Sequence, residues 1–269
     1  MNEPQVLVVA DPAAGSAVAA DRIALILADA VAARGRAHWA TTGGSTPIGI
    51  YQRLAAPPLV DEVPWAAVDV WWGDDRYVPR DHPLSNVKSF DDILLRIGEG
   101  EEGTAGGGWP GVPLPVGNVH PFPTGEAIGR ARGAAWCAST LAEALRAAGL
   151  DEADGWPVFD LMLIGVGPDG HVLSVFPGSD AFESPDLALA VPAPTHIEPH
   201  VERVTLNPAL IGVAREVLVV AYGADKAAAL AEILGATRDP RRWPAQLALR
   251  PGATWVLDTE AGAAVALPR

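Results

Sequence analysis

Asp169 and His171 stand two residues apart in Gly165-Val166-Gly167-Pro168-Asp169-Gly170-His171, and His171 has the best setting for proton transfer of the six histidines. An imidazole is the usual general base near neutral pH, and a neighbouring carboxylate fixes its tautomer and stabilises the imidazolium. A loop histidine that caps the backbone is the plainer alternative. The segment also has the G-x-G-x-x-G spacing of a dinucleotide turn. Pro177-Gly178 follows within a few residues, however, where a dinucleotide-binding unit needs an unbroken helix. The other histidines fall in Pro-rich or surface-like stretches or, for His38, at the start of a strand.

Three further groups have chemistry-bearing side chains. In Thr42-Gly43-Gly44-Ser45-Thr46-Pro47, two glycines allow close backbone approach, two hydroxyls follow, and Pro47 suits the first turn of a helix. Free N–H groups at such a turn suit an anion such as phosphate; a tight turn with a Ser or Thr helix cap accounts for it equally well. There is no Gly-Lys pair of the Walker type. Trp72-Gly73-Asp74-Asp75-Arg76-Tyr77-Val78-Pro79, followed by Ser85-Asn86, sets adjacent carboxylates beside an arginine. That arrangement fits a polyol or an anion, or an ion pair that only holds a loop. Last come Arg203 on a late strand and Lys226 at the start of a helix after Gly223. A lysine there opposes the helix dipole, and an anion between them would relieve the clash; a surface lysine is the alternative.

The elements that must position these groups alternate between strand-like and helical patterns. Strands are predicted at Gln5 to Ala10, Ala37 to Thr41, Val68 to Trp72, Phe159 to Ile164, Val201 to Leu206, Glu216 to Ala221 and Thr254 to Leu257. Phe159 to Ile164 is almost wholly apolar, as a central strand buried on both faces must be. Helices are predicted at Ala14 to Arg34 with Gly35 as cap, from Pro47, at Thr124 to Leu150, at Ala224 to Leu234, and briefly after Trp243. A charged loop is expected after Trp72. Gly98 to Gly117 is rich in Gly and Pro, carries Glu99, Glu101 and Glu102, and reads as a surface excursion. The alternation implies a mostly parallel sheet covered on both sides, with ligands at the carboxyl ends of its strands.

Composition narrows the functional classes. The 269 residues can bury a sizeable core, and 49% of them are hydrophobic. A net charge of -14 repels nucleic acid and anionic membranes, so a phosphorylated substrate would need basic side chains gathered locally against that field. The single cysteine, Cys137, excludes an intrachain disulfide and reads as a buried structural thiol. Met1 to Ala10 lacks a basic leader and reads as a first strand; no apolar run has the length of a membrane span. A cytoplasmic location is expected. The histidines and cysteine form no metal-binding motif, so no metal is expected.

In order and spacing these segments together resemble the 6-phosphogluconolactonase family, within the glucosamine-6-phosphate isomerase/deaminase superfamily. The most specific element runs from Phe159-Asp160-Leu161 through Gly165-x-Gly167-x-Asp169-Gly170-His171 to Phe176-Pro177-Gly178. Gly43-Gly44-Ser45-Thr46-Pro47, Gly73-Asp74-Asp75-Arg76-x-Val78-Pro79 with Ser85-Asn86, and Pro199-His200 before Arg203-x-Thr205-Leu206 support it. The resemblance covers nearly the whole chain. It implies one Rossmann-like three-layer α/β/α domain, α/β in class, that hydrolyses 6-phospho-D-glucono-1,5-lactone in the oxidative pentose phosphate pathway without a cofactor, as a monomer or weak homodimer.

On that resemblance His171 is the general base and Asp169 its support. Gly43, Gly44, Ser45 and Thr46, with Arg203 and Lys226, hold the phosphate, and Arg76 meets the substrate near the lactone. Asp74 matches a carboxylate that the related deaminases use for proton abstraction. Asp75 departs from the usual Glu, Val172-Leu173 and Val175 depart from the pattern after the histidine, and Gly98 to Gly117 looks like an insertion. The deaminases carry a carboxylate five residues after the histidine; Phe176 stands there and cannot transfer a proton. Three other readings are a non-catalytic sugar-phosphate sensor, a glucosamine-6-phosphate deaminase, and a nucleotide-binding oxidoreductase.

Overall fold

The computed structural model describes residues 3–95 and 111–266. Most of the predicted excursion lies outside the described residues; its last part leads through a single 3₁₀ turn, Val116–Asn118. Twelve strands follow in chain order: β1 (Gln5–Val9), β2 (Ala37–Thr41), β3 (Val68–Trp72), β4 (Asp74–Arg76), β5 (Val119–His120), β6 (Glu152–Ala153), β7 (Trp156–Pro157), β8 (Leu161–Gly165), β9 (Ala188–Val191), β10 (Arg203–Leu206), β11 (Glu216–Ala221) and β12 (Ala253–Asp258). The helices are α1 (Pro12–Arg34), α2 (Ile48–Leu54), α3 (Leu59–Glu62), α4 (Lys88–Phe90), α5 (Thr124–Gly129), α6 (Ala134–Ala147), α7 (Ala209–Val213) and α8 (Ala227–Ile233).

Seven strands form the main sheet in the order β1-β12-β11-β8-β2-β3-β5, and every pair is parallel. From β2 the chain builds outward through β3 to β5, then returns to β8 and builds the other way through β11 to β12. The reversal falls between β2 and β8, and the crevice beyond their carboxyl ends is where such sheets bind ligands. The loops containing Gly43 and His171 leave these two strands. β8 is central and buried over Leu161 to Ile164, as its apolar run requires.

α1 starts where Asp11 accepts a hydrogen bond from the Ala14 N–H at 2.8 Å, with Pro12 in the first turn. It ends at Gly35, whose φ of 79° suits glycine alone. Its Ile23, Leu27 and alanine face packs on the sheet, and α2 and α3 pack against it. α6 lies against β9 and β10, and the layers make a three-layer α/β/α architecture. Buried residues from Ala19 to Ala261 form one apolar cluster. Among the described residues no helix is long and apolar enough to cross a membrane.

Three expectations are corrected. The predicted helix from Thr124 to Leu150 is two helices, α5 and α6. Between them Ala131 takes φ 51° and the Arg132 N–H turns back to the Ala127 carbonyl at 2.7 Å. Gly129 and Gly133 flank the break, and the Tyr77 hydroxyl donates to the Arg132 carbonyl. The charged segment after Trp72 is not a loop, because Asp74–Arg76 pairs antiparallel with β10. β10 itself lies outside the main sheet, in a three-stranded sheet ordered β4-β10-β9. The 224–234 helix begins as a 3₁₀ turn, Ala224–Lys226.

Candidate active site

The turn after β8 is built around its histidine. The Gly167 N–H donates to the His171 carbonyl at 2.9 Å and the Gly170 N–H to the Gly167 carbonyl at 3.0 Å. Gly170 takes φ 82°, and a Cβ on Gly167 would fall 2.1 Å from the His171 ring. Gly167 therefore makes room for the imidazole, while Gly170 packs against Trp243. Inside the turn His171 Nδ1 lies 2.5 Å from Asp169 Oδ1, which also accepts from the His171 backbone N–H at 3.2 Å. Burial would raise the Asp169 pKa, but hydrogen bonds from His171 and His196 outweigh it and hold the carboxyl well below its usual range. An ionised carboxylate only accepts, so Nδ1 carries the hydrogen between them, and in the neutral imidazole the lone pair then lies on Nε2. The ring is 18% exposed, enough for water to reach it.

His196 was passed over in the sequence because it sits in a Pro-rich stretch. The structure places its Nε2 3.0 Å from Asp169 Oδ2, so one carboxylate joins two imidazoles. Phe176 packs between them, its ring centre 4.7 Å from that of His171 and 5.5 Å from that of His196. Arg203 lies over the same ring at 5.6 Å. Nothing in sequence spacing brings His196 to Asp169; the loop joining β9 to β10 does so.

The cations gather on the small sheet. Arg203 on β10 stands opposite Arg76 on β4 in antiparallel register. Arg203 is 4% exposed and donates through one terminal nitrogen to the Pro199 carbonyl at 3.1 Å. Arg76 donates to the Leu84 carbonyl at 2.8 Å. Both Nε atoms are buried with no partner in the structure. Burial lowers the Arg203 pKa and Arg76 adds to that, while Asp74 and Asp169 oppose it.

Carboxylates fasten this sheet to its neighbours. Ser174 Oγ donates to Asp74 Oδ2 at 2.5 Å and Asn86 Nδ2 to Asp74 Oδ1 at 3.1 Å. Ser174 escaped the sequence reading because serine carries no spacing signal. Asp75 is fully buried; its Oδ1 accepts from the Asn86 and Arg76 backbone N–H groups at 2.7 and 2.8 Å, and its Oδ2 from Ser85 at 3.2 Å. Gly43 presses on Asn86 so closely that a Cβ there would fall 2.3 Å from Asn86 Cβ. The loop of Gly43, Gly44, Ser45 and Thr46 is thereby joined to Asp74, Arg76, Arg203, Phe176, His171 and Asp169. Gly44 takes φ 81° with open space beside it, and Ser45 is exposed. Lys226 lies past the end of β11, next to β8, and its ammonium pairs with Asp225 at 2.7 Å. That carboxylate already offsets the clash with the helix dipole for which the sequence suggested an anion.

The chain is similar to known proteins in sequence and fold. The profile of the family described as "Glucosamine-6-phosphate isomerases/6-phosphogluconolactonase" matches residues 10–257. A 6-phosphogluconolactonase of Synechocystis sp. is 35% identical over 87% of this chain and 86% of its own. One from Streptomyces coelicolor is 32% identical over 100% of this chain and 96% of its own. The solved 6-phosphogluconolactonase of Trypanosoma brucei superposes with a TM-score of 0.81 at 29% identity, covering 99% of this chain and 100% of that one.

Proposed function

From the premise that this chain belongs to the glucosamine-6-phosphate isomerase/6-phosphogluconolactonase family, we propose that it hydrolyses 6-phospho-D-glucono-1,5-lactone to 6-phosphogluconate, with His171 as the base. The observation that carries the assignment of the base is the His171 Nδ1 contact to Asp169 Oδ1 at 2.5 Å, which leaves Nε2 free. A water between Nε2 and the lactone carbonyl gives its proton to Nε2 as its oxygen bonds to the carbonyl carbon. The tetrahedral intermediate collapses, the bond to the ring oxygen breaks, and the imidazolium returns the proton to that oxygen. Asp169 stabilises the imidazolium between the two steps.

Arg76, whose Nε has no partner, faces the developing oxyanion. Arg203 binds the phosphate together with the N–H groups and hydroxyls of Gly43, Gly44, Ser45 and Thr46, and Lys226 adds a cation at the rim. Asp74 acts by holding Ser174 and Asn86 in place, since both its oxygens are engaged. Phe176 fills the position where a ring-opening relay would need a carboxylate, which turns the site away from deamination. The chain works as one cytoplasmic domain.

The deciding experiment follows the opening of freshly generated lactone with spontaneous hydrolysis subtracted, beside His171→Ala. General-base assistance contributes roughly 10²–10⁴-fold, so the variant loses about that much in kcat and still binds 6-phosphogluconate. Lack of acceleration by the unaltered protein removes the lactonase reading, and a fully active variant removes the base.

A further inference from the structure

Asp169 has two oxygens and both are used. Oδ1 faces His171 Nδ1, while Oδ2 lies 3.0 Å from His196 Nε2, a side chain that is 52% exposed and belongs to a different element. The loop that brings it is closed at its neck, where His200 Nδ1 donates to the Pro194 carbonyl at 2.7 Å. A terminal nitrogen of Arg203 ties the same loop to β10 through the Pro199 carbonyl at 3.1 Å. The Phe176 and His196 rings meet edge to face at 85°. An exposed histidine on a long loop gains nothing from this confinement unless its hydrogen bond matters.

The turn that carries Asp169 explains why it does. Pro168 and Gly170 flank it in a hydrogen-bonded turn that fixes the backbone but not the end of the side chain, and the carboxylate is partly open to water. Without His196 its only donors among the described residues are the ring and backbone N–H of His171, both at Oδ1, and with Oδ2 unheld the carboxylate can swing about its last side-chain bond. Oδ1 would then leave Nδ1, and the ring would lose what fixes its tautomer. A second donor at Oδ2 stops that swing.

We propose that His196 is a positioning residue for the hydrolysis: its Nε2–H pins Asp169 Oδ2, so that Oδ1 holds the Nδ1–H tautomer of His171 and leaves Nε2 as the base. The inference rests on the lactonase reading for its kinetic consequence and on the contact geometry alone for its tautomer consequence. His196 touches no reacting atom, and no proton passes through it. Its contribution is to the fraction of the enzyme with the base correctly oriented, which lowers kcat when lost and leaves substrate binding alone.

Two substitutions and two readouts test this. His196→Leu keeps bulk against Phe176 and removes the donor; His196→Gln restores an N–H at a similar reach. In the leucine variant kcat falls on the order of 10- to 100-fold. KM stays within about twofold, as expected when only catalytic orientation is lost. The glutamine variant recovers most of the loss. Nitrogen-15 NMR of the imidazoles gives the second readout, independent of turnover. His171 in the unaltered protein shows one tautomer, with Nδ1 protonated, and in His196→Leu a mixture of the two. The proposal is overturned by wild-type kcat in His196→Leu, by equal loss in both variants, by an effect confined to KM, or by an unchanged His171 tautomer. If the unaltered protein opens no lactone but the tautomer still responds to His196→Leu, the positioning stands and only the lactonase reading fails.

Discussion

Arg76 and Arg203 face each other across the β4–β10 pair, and each keeps a buried Nε without a partner. Like charges directly opposite on a sheet destabilise it, and a substrate that brings its phosphate to Arg203 and its carbonyl oxygen to Arg76 turns that cost into binding. Removing one of the two should therefore weaken binding and leave the fold intact. A charge-assisted hydrogen bond contributes about 1.5–3 kcal/mol, so Arg203→Met should raise KM roughly 10- to 150-fold. Inorganic phosphate should raise the Tm of the unaltered protein by mass action, and raise it much less in the variant. Equal phosphate stabilisation of both proteins would place the anion elsewhere.

Gly167 is held to glycine by His171. A methyl group there would lie 2.1 Å from ring atoms Cε1 and Nδ1 and 2.9 Å from Asp169 Oδ1, so the base must move. A displacement of about 1 Å in a catalytic group can cost roughly 10²-fold in rate. Gly167→Ala should lose kcat on that scale and keep near wild-type far-ultraviolet circular dichroism and Arg203-dependent phosphate stabilisation. Undiminished turnover would mean that His171 need not stay where the structure places it.

Asp75 carries a pH dependence of stability. Burial pushes its carboxyl up from 3.8 to about 7, against the hydrogen bonds from Asn86 and Arg76. Between those two values the folded chain binds more protons than the unfolded one, so this group's contribution to stability falls as pH rises through that window. Asn fits the same position: its oxygen accepts the two N–H groups that meet at Oδ1, and its amide donates to Ser85 Oγ. Asp75→Asn should fold, and its urea midpoint should gain on the unaltered protein as pH rises from about 4 to 7. Parallel midpoints across that range would show that Asp75 does not titrate there.

Cys137 is fully buried on α6, and burial pushes its thiol up to about 12. Only the thiolate reacts readily, so a thiol reagent should modify the native protein no faster than the chain unfolds. The rate of modification should rise with urea in step with the unfolding transition. Rapid labelling of the native state would contradict that burial.

Much of the fold was legible because the main sheet depends on local pattern. The apolar run of β8, the Gly35 cap of α1, and the strand at Glu216–Ala221 follow from residue type and periodicity. The break between α5 and α6 was missed because its alanine-rich pattern runs past Gly129 and Gly133, where a turn and a tyrosine hydroxyl offer better hydrogen bonds than a continuous helix. Asp74–Arg76 was read as a loop because three polar residues carry no strand signal; they pair only because β10 lies beside them.

The sequence by itself determined the chemistry available: a histidine two residues from an aspartate on a glycine turn, a glycine-rich loop with two hydroxyls, scattered arginines, and a phenylalanine where a relay would need a carboxylate. Tertiary structure alone decided how these are used. It set Arg76 against Arg203, engaged both oxygens of Asp74, and brought His196 onto the free oxygen of Asp169. The reason is range. Caps, turns and periodicity act over a few residues and leave a mark in the sequence. The contacts that orient a base or pair two arginines join segments far apart in the chain, and exist only once the sheets have set the distance between them.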